Sequence, residues 1–224
     1  MPRGQNCYMS DRVSITIDNG IADVRLTRAD KRNALDSEMF RAIAAAGERL
    51  KTQAGVRCVV LSGEGKSFCA GLDMGSMNQL AGAPPANGEE QTNAGDINDG
   101  SITHLAQQIC WVWQELPMPV ISAVHGHALG GGIQLALGTD IRFVHPETKM
   151  SVRETYWGLV PDMTGTFMLG KLLRPDIAKE LTFTARVFSG AEAHEMGLVT
   201  HLTETPYDDA MALAAEIAGI SPSA

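Results

Sequence analysis

The sequence predicts an α/β fold, on three observations. Two short, almost wholly apolar strands, Cys58 to Leu61 and Val120 to Val124, have the composition of strands buried on both faces of a parallel sheet. Each runs into a glycine-rich loop. The order of strand, glycine loop, helix and strand then recurs, which calls for right-handed crossovers between parallel strands.

The elements follow in order. Val13 to Ile17 alternates, Asp18-Asn19-Gly20 supplies a tight turn, and Ile21 to Leu26 alternates again. That is a β-hairpin, because Asn-Gly accepts the positive φ values of a two-residue turn. Asp36 or Ser37 caps a helix to about Lys51, with Met39, Ile43, Ala46 and Leu50 on one face. After the Cys58 strand comes a glycine-rich loop from Ser62 to Gly75. Residues 81–100 lack periodicity and read as a mobile loop. A helix is expected from about Ser101 to Leu116, closed by Pro117 and Pro119. Further helices are expected from Gly130 to Gly138, Gly165 to Leu173, Pro175 to Thr184, Ala191 to Met196 and Tyr207 to Ala218, with a third core strand from Asp140 to Val144. Ser221-Pro222 has the form of a fresh helix start, which suggests further residues beyond Ala224.

Composition narrows the function. The chain has 224 residues, 44% hydrophobic and 20% charged, enough for one large domain, or for one domain with a short helical appendage. A net charge of −8 argues against nucleic acid, whose phosphates need a Lys/Arg footprint, and leaves room for a local basic cluster. The four cysteines have no CxxC or zinc spacing and read as apolar fillers in a reduced compartment. Met1 to Ser10 carries no apolar run, and no stretch approaches the ~20 residues of a membrane span. A cytoplasmic location is the expectation.

The glycine loops are not nucleotide motifs. Phe68 stands where the dinucleotide fingerprint needs its third glycine, and Val60 where a P-loop needs its first. No G-x-S-x-G elbow and no H-E-x-x-H zinc motif occurs. His125 and His127 have no carboxylate nearby in sequence and read as structural. The remaining use of glycine is close approach, which lets a ligand reach main-chain N–H groups. Gly130-Gly131-Gly132 also opens a helix, whose first amides are unpaired and carry partial positive charge. With the loop Ser67 to Asp73, two amides could converge as an oxyanion hole.

Five segments in this order resemble the crotonase (enoyl-CoA hydratase/isomerase) family over nearly the whole chain: Lys31 to Leu35 (KRNAL), Ser67 to Asp73 (SFCAGLD), His125 to Gly132 (HGHALGGG), Trp157 to Pro161 (WGLVP) and Ala185 to Val199. The resemblance implies a spiral of ββα units over residues 1–190, a helical subdomain starting at 191–224, and assembly as trimers or paired trimers. It implies an acyl-CoA thioester as substrate, with coenzyme A as part of it and no separate cofactor or metal. The oxyanion amides would be those of Leu72 and Gly131. Lys31 or Arg32 would meet coenzyme A phosphates, or else form a solvated loop, and Ala34, Phe68, Ala70 and Asp73 would line the coenzyme's path.

Hydratases of this family resemble one another in using two glutamates. Here the two positions hold Gln134 and Glu154. Glutamine orients a water but exchanges no proton at neutral pH, and an acid–base group contributes about 10²–10⁴-fold. Double-bond isomerisation needs a single carboxylate, and Asp162 stands eight residues later, where dienoyl-CoA isomerases carry an aspartate. The bland alternatives are a surface salt bridge for Glu154, a helix cap for Asp162 and an ordinary helix residue for Gln134. Two functional classes result: an enoyl- or dienoyl-CoA isomerase or weak hydratase, and an inactive acyl-CoA-binding homologue. The paired acids Glu154 and Asp162 favour the enzyme.

Overall fold

The computed structural model describes residues 6–73, 75 and 102–221; the expected loop at 81–100 lies outside them. Ten strands are described: β1 (Asn6–Met9), β2 (Val13–Asp18), β3 (Ile21–Leu26), β4 (Cys58–Gly63), β5 (Val120–Val124), β6 (His127–Leu129), β7 (Ile141–Val144), β8 (Lys149–Ser151), β9 (Phe188–Ser189) and β10 (His201–Leu202). Seven form one sheet in the order β1-β2-β3-β4-β5-β7-β10, antiparallel from β1 to β3 and parallel from β3 onward. The other three form a small sheet, β6-β8-β9. The helices are α1 (Ser37–Lys51), α2 (Leu105–Trp111), α3 (Gly131–Leu137), α4 (Gly165–Leu172), α5 (Pro175–Thr184), α6 (Gly190–Met196) and α7 (Pro206–Gly219). This is the mixed α/β architecture expected.

The apolar run of β4 has a direct cause. Successive side chains leave a strand on opposite faces, so a strand covered on both sides must be apolar throughout. Val59 and Leu61 join the main core with Ile43, Leu50 and Trp113. Cys58 and Val60 join the opposite face, where Ala210 and Ala214 of α7 pack against Ile121 and Phe143. β10 extends the same sheet beside β7, so the residues after 200 belong to the body that carries the loops.

Local chemistry set several boundaries as expected. Asn19 and Gly20 have φ of 48° and 83°, the two-residue turn that joins Asp18 to Ile21 in register. Asp36 caps α1 by accepting from the Met39 amide. The helix expected from Ser101 instead begins at Leu105: the His104 imidazole accepts from the Gln107 amide, and the Gln107 side chain answers with the His104 amide. It runs as α-helix only to Trp111 and tightens to a 3-10 turn over Val112–Glu115. β7 starts one residue late because the Asp140 carboxylate turns back to accept from the Val120 amide at 2.8 Å. Cys58, Cys69 and Cys110 are buried free thiols; burial pushes Cys58 up to about 11 and Cys69 up to about 12, which keeps them neutral. Among the described residues, no helix is long and apolar enough to cross a membrane.

Candidate active site

Two glycine loops meet at the ends of β4 and β5. Leu35 holds the first in place: its amide donates to the Gly71 carbonyl at 2.8 Å, and its carbonyl accepts from the Asp73 amide at 3.0 Å. Amides alternate sides along extended chain, so the intervening Leu72 N–H turns away from Leu35. The second loop approaches very closely. Gly71 has φ +89°, and a methyl group there would lie 2.5 Å from the Leu129 carbonyl oxygen and 3.8 Å from the Gly131 nitrogen. Only glycine fits. Gly131 is the first residue of α3, so its amide has no partner within the helix. Among the described residues, neither the Leu72 nor the Gly131 amide has a main-chain acceptor. Both donors thus lie where the two loops meet, and a methyl group at Gly131 would touch the side chains of Leu35 and Met163.

Glu154 begins a 3-10 turn after β8 and is 8% exposed. Its Oε1 accepts from Gln134 Nε2 at 2.6 Å, while Oε2 has no hydrogen-bond partner among the described residues. Burial pushes this carboxyl above its usual range and the Asp162 charge adds to that, against the opposing pull of its own main-chain N–H and of the Gln134 hydrogen bond. Glu154 borders the glycine loop: a methyl group at Gly130 would sit 3.2 Å from Oε1. It is no surface salt bridge. Gln134 is 1% exposed, and its Oε1 accepts from the Gly165 amide at 2.9 Å, so it is more than an ordinary helix residue. Asp162 is exposed and does not cap α4; Thr164 occupies the cap position with φ +67° and no side-chain hydrogen bond.

The expected coenzyme-path residues divide into two groups. Lys31 and Arg32 are exposed at the end of a 3-10 turn, and Arg32 adopts φ 51°. Ala70 is half-buried beside them, with its amide donating to the Arg32 carbonyl at 3.0 Å. Ala34 and Phe68 are buried, and the Phe68 amide donates to the His125 carbonyl at 2.8 Å, so Phe68 serves the fold rather than lining the coenzyme's path. The Asp73 carboxylate is engaged within the fold, accepting from Arg28 Nη1 and from the Gly75 amide, each at 2.8 Å. His127 Nδ1 pairs with Ser67 Oγ at 2.9 Å, and His125 Nε2 with the Gly65 carbonyl at 3.0 Å.

Three contributors were not singled out from sequence. Arg28 ties the Asp73 loop to Asp36 and to the Ala34 carbonyl. Asn33, in a left-handed conformation with φ 55°, donates through Nδ2 to the Glu64 and Ser67 carbonyls and so positions the second motif against the first. Its setting in the Lys31–Leu35 segment was a usable signal, since Asn is favoured where φ is positive. Gly165 anchors Gln134, and nothing in its neighbourhood announced that.

The chain is similar to known proteins in both sequence and fold. The sequence pattern of the enoyl-CoA hydratase/isomerase family matches residues 16–224. The chain is 33% identical over 195 residues to enoyl-CoA hydratase EchA19 of Mycobacterium tuberculosis, covering 87% of this chain and 68% of that one. It is 34% identical over 221 residues to the human mitochondrial Delta(3,5)-Delta(2,4)-dienoyl-CoA isomerase, covering 97% of this chain and 66% of that one. The crystal structure of enoyl-CoA hydratase EchA1 from Mycobacterium marinum superposes with a TM-score of 0.79 at 29% identity, covering 95% of this chain and 78% of that one. With its paired glycine loops and its buried glutamate, this chain belongs to the enoyl-CoA hydratase/isomerase family.

Proposed function

We propose that this protein migrates the double bond of an enoyl- or dienoyl-CoA, with Glu154 as the proton shuttle. The observation that carries the reading is the state of the two positions where hydration needs two acids. One is Gln134, whose amide exchanges no proton and is already bonded at both ends. The other is Glu154, a single buried carboxyl with one oxygen held and one open. One such group suffices for isomerisation. Glu154 Oε2 takes a proton from the carbon beside the thioester carbonyl. The electron pair of that C–H bond moves into the bond to the carbonyl carbon and displaces the C=O pair onto the thioester oxygen, leaving an enolate conjugated with the carbon–carbon double bond. The resulting dienolate is held by the Leu72 and Gly131 amides. Return of the same proton to the far carbon of the conjugated system completes the shift with no net gain or loss of atoms.

Preorganised donors of this kind contribute about 2.7–4 kcal/mol each to the transition state. The upward displacement of the Glu154 carboxyl supports the role, because a base that must also return a proton works best near the ambient pH. Asp162, exposed and near enough for its charge to act on Glu154, is suited to the distal end of a dienoyl substrate. Lys31 and Arg32 supply the cationic contact for coenzyme A phosphates. A second reading, hydration of a 2-enoyl-CoA, draws on the hydratase named among the relatives and on the remaining Nε2 hydrogen of Gln134, which could hold a water.

The test is an absorbance panel of 2-enoyl-, 3-enoyl- and 3,5-dienoyl-CoA thioesters with the native protein and Glu154→Gln. Isomerisation of the 3-enoyl or dienoyl substrates by the native protein alone is expected, with acyl-CoA binding retained in the variant. Equal turnover by Glu154→Gln removes Glu154 from the mechanism, and turnover of the 2-enoyl substrate alone moves the assignment to hydration.

A further inference from the structure

Gln134 is buried, and both ends of its amide are committed. The Gly165 amide donates to Oε1 at 2.9 Å, and Nε2 donates to Glu154 Oε1 at 2.6 Å. A main-chain N–H can only donate and an ionised carboxylate can only accept, so the reverse orientation of the amide would lose both bonds. The space is fitted to this chain of contacts. A methyl group at Gly165 would lie 2.4 Å from Gln134 Oε1, and one at Gly130 would lie 3.2 Å from Glu154 Oε1. A rigid donor at the start of α4 thus sets the glutamine, and the glutamine sets the glutamate.

We propose that Gln134 is a positioning residue, anchored by the Gly165 amide, that occupies Glu154 Oε1 so that Oε2 alone moves the proton. This rests on the isomerase reading above and specifies which atom does the work. It also makes Gln134 a control on when the base is ready. Its N–H bond favours the charged carboxylate, in opposition to burial and to the negative charge of Asp162. The buried Cys110 thiol of α2 also feels Glu154, and burial holds it well above its usual range and so keeps it neutral; the adjacent Arg153 directs its guanidinium to the Ala185 carbonyl. Removing the Gln134 donor leaves only the residue's own main-chain N–H to oppose burial and Asp162.

The test uses Gln134→Met, which keeps length and apolar bulk without the amide, and Gly165→Ala, which keeps the amide but displaces it. If one fails to fold, the other still reports. For each, kcat/KM for conversion of a 3-enoyl-CoA to its conjugated isomer is measured from pH 5.5 to 9.5, with Glu154→Gln alongside. The acid limb is expected to move to higher pH, so that the loss is about tenfold for each unit of displacement at pH 6 and shrinks toward pH 9, with KM little changed. A loss that is uniform across pH in the folded variants overturns the proposal, because a merely structural defect does not move a titration. If Glu154→Gln is inactive and the limb stays put, this inference alone fails. If Glu154→Gln turns over normally, the isomerase reading fails and the inference with it.

Discussion

Gly131→Ala separates the oxyanion role from the structural role of the second glycine loop. A methyl group at this position would meet Leu35 Cδ1 at 2.7 Å and Met163 Sδ at 3.1 Å. Both are side-chain atoms able to shift, and Gly131 does not have the positive φ that strains other residues. Contrast Gly132, where a methyl group would stand 2.2 Å from the Cys69 carbonyl oxygen, which is backbone and cannot yield. Gly131→Ala should therefore fold. Overpacking a filled site costs about 1–3 kcal/mol, offset by up to about 1 kcal/mol from the better helix propensity of alanine. The net loss of stability is then at most about 3 kcal/mol, readable as a lower midpoint in urea with unchanged slope. The catalytic effect should be larger. Moving this amide away from the thioester oxygen removes one of two donors, equivalent to about 10²–10³ in kcat. The assay is kcat for 3-enoyl-CoA isomerisation at saturating substrate, beside the urea titration. A variant that loses stability yet keeps native kcat would show that the Gly131 amide does not meet the reacting oxygen.

Three further outcomes are expected. Gln134→Glu would place a second carboxylate oxygen about where Nε2 now lies 2.6 Å from Glu154 Oε1, so the pair must share a proton; crotonyl-CoA hydration should rise about 10²-fold or more, and no rise means position 134 does not face the reacting carbon. Lys31→Glu with Arg32→Glu should raise KM for acyl-CoA while kcat holds, since both residues are exposed and neither is among the charges that act on Glu154; an unchanged KM removes them from the coenzyme path. Burial tends to raise the Asp73 carboxyl, but the Gly75 amide and Arg28 outweigh it and hold the group below the usual carboxylate range. A carboxylate lowered on folding contributes stability above its unfolded pKa and loses it as pH falls through the folded one. Arg28→Ala should therefore cost about 1.5–3 kcal/mol at pH 7 and little near pH 2, and an equal loss at both pH values would assign the effect to packing alone.

Much of the scaffold was legible because its signals act within a few residues. Asn19-Gly20 requires positive φ at both turn positions, and Asp36 reaches an amide three residues away. The uninterrupted apolar run of β4 already states that both its faces are covered. Where a second local candidate existed, the reading went astray: Ser101 was taken as the helix start, but the His104 and Gln107 pair made the cap. β1 was missed because Asn6–Met9 has neither alternation nor a turn signal of its own; pairing with β2 makes it a strand.

The sequence by itself determined the fold class, the family likeness and the two glycine loops, since each depends on residue types within short windows. Which partners the acid–base residues meet was decided only by tertiary structure. Gln134 meets Glu154 across 20 residues and Gly165 across 31, and Arg28 meets Asp73 across 45. No local pattern encodes such partners, because which of many amides and carboxyls ends up facing a buried side chain is settled by how the helices and sheets pack. Burial then displaces the Glu154 carboxyl upward, and burial is a property of the folded molecule rather than of any segment of its chain.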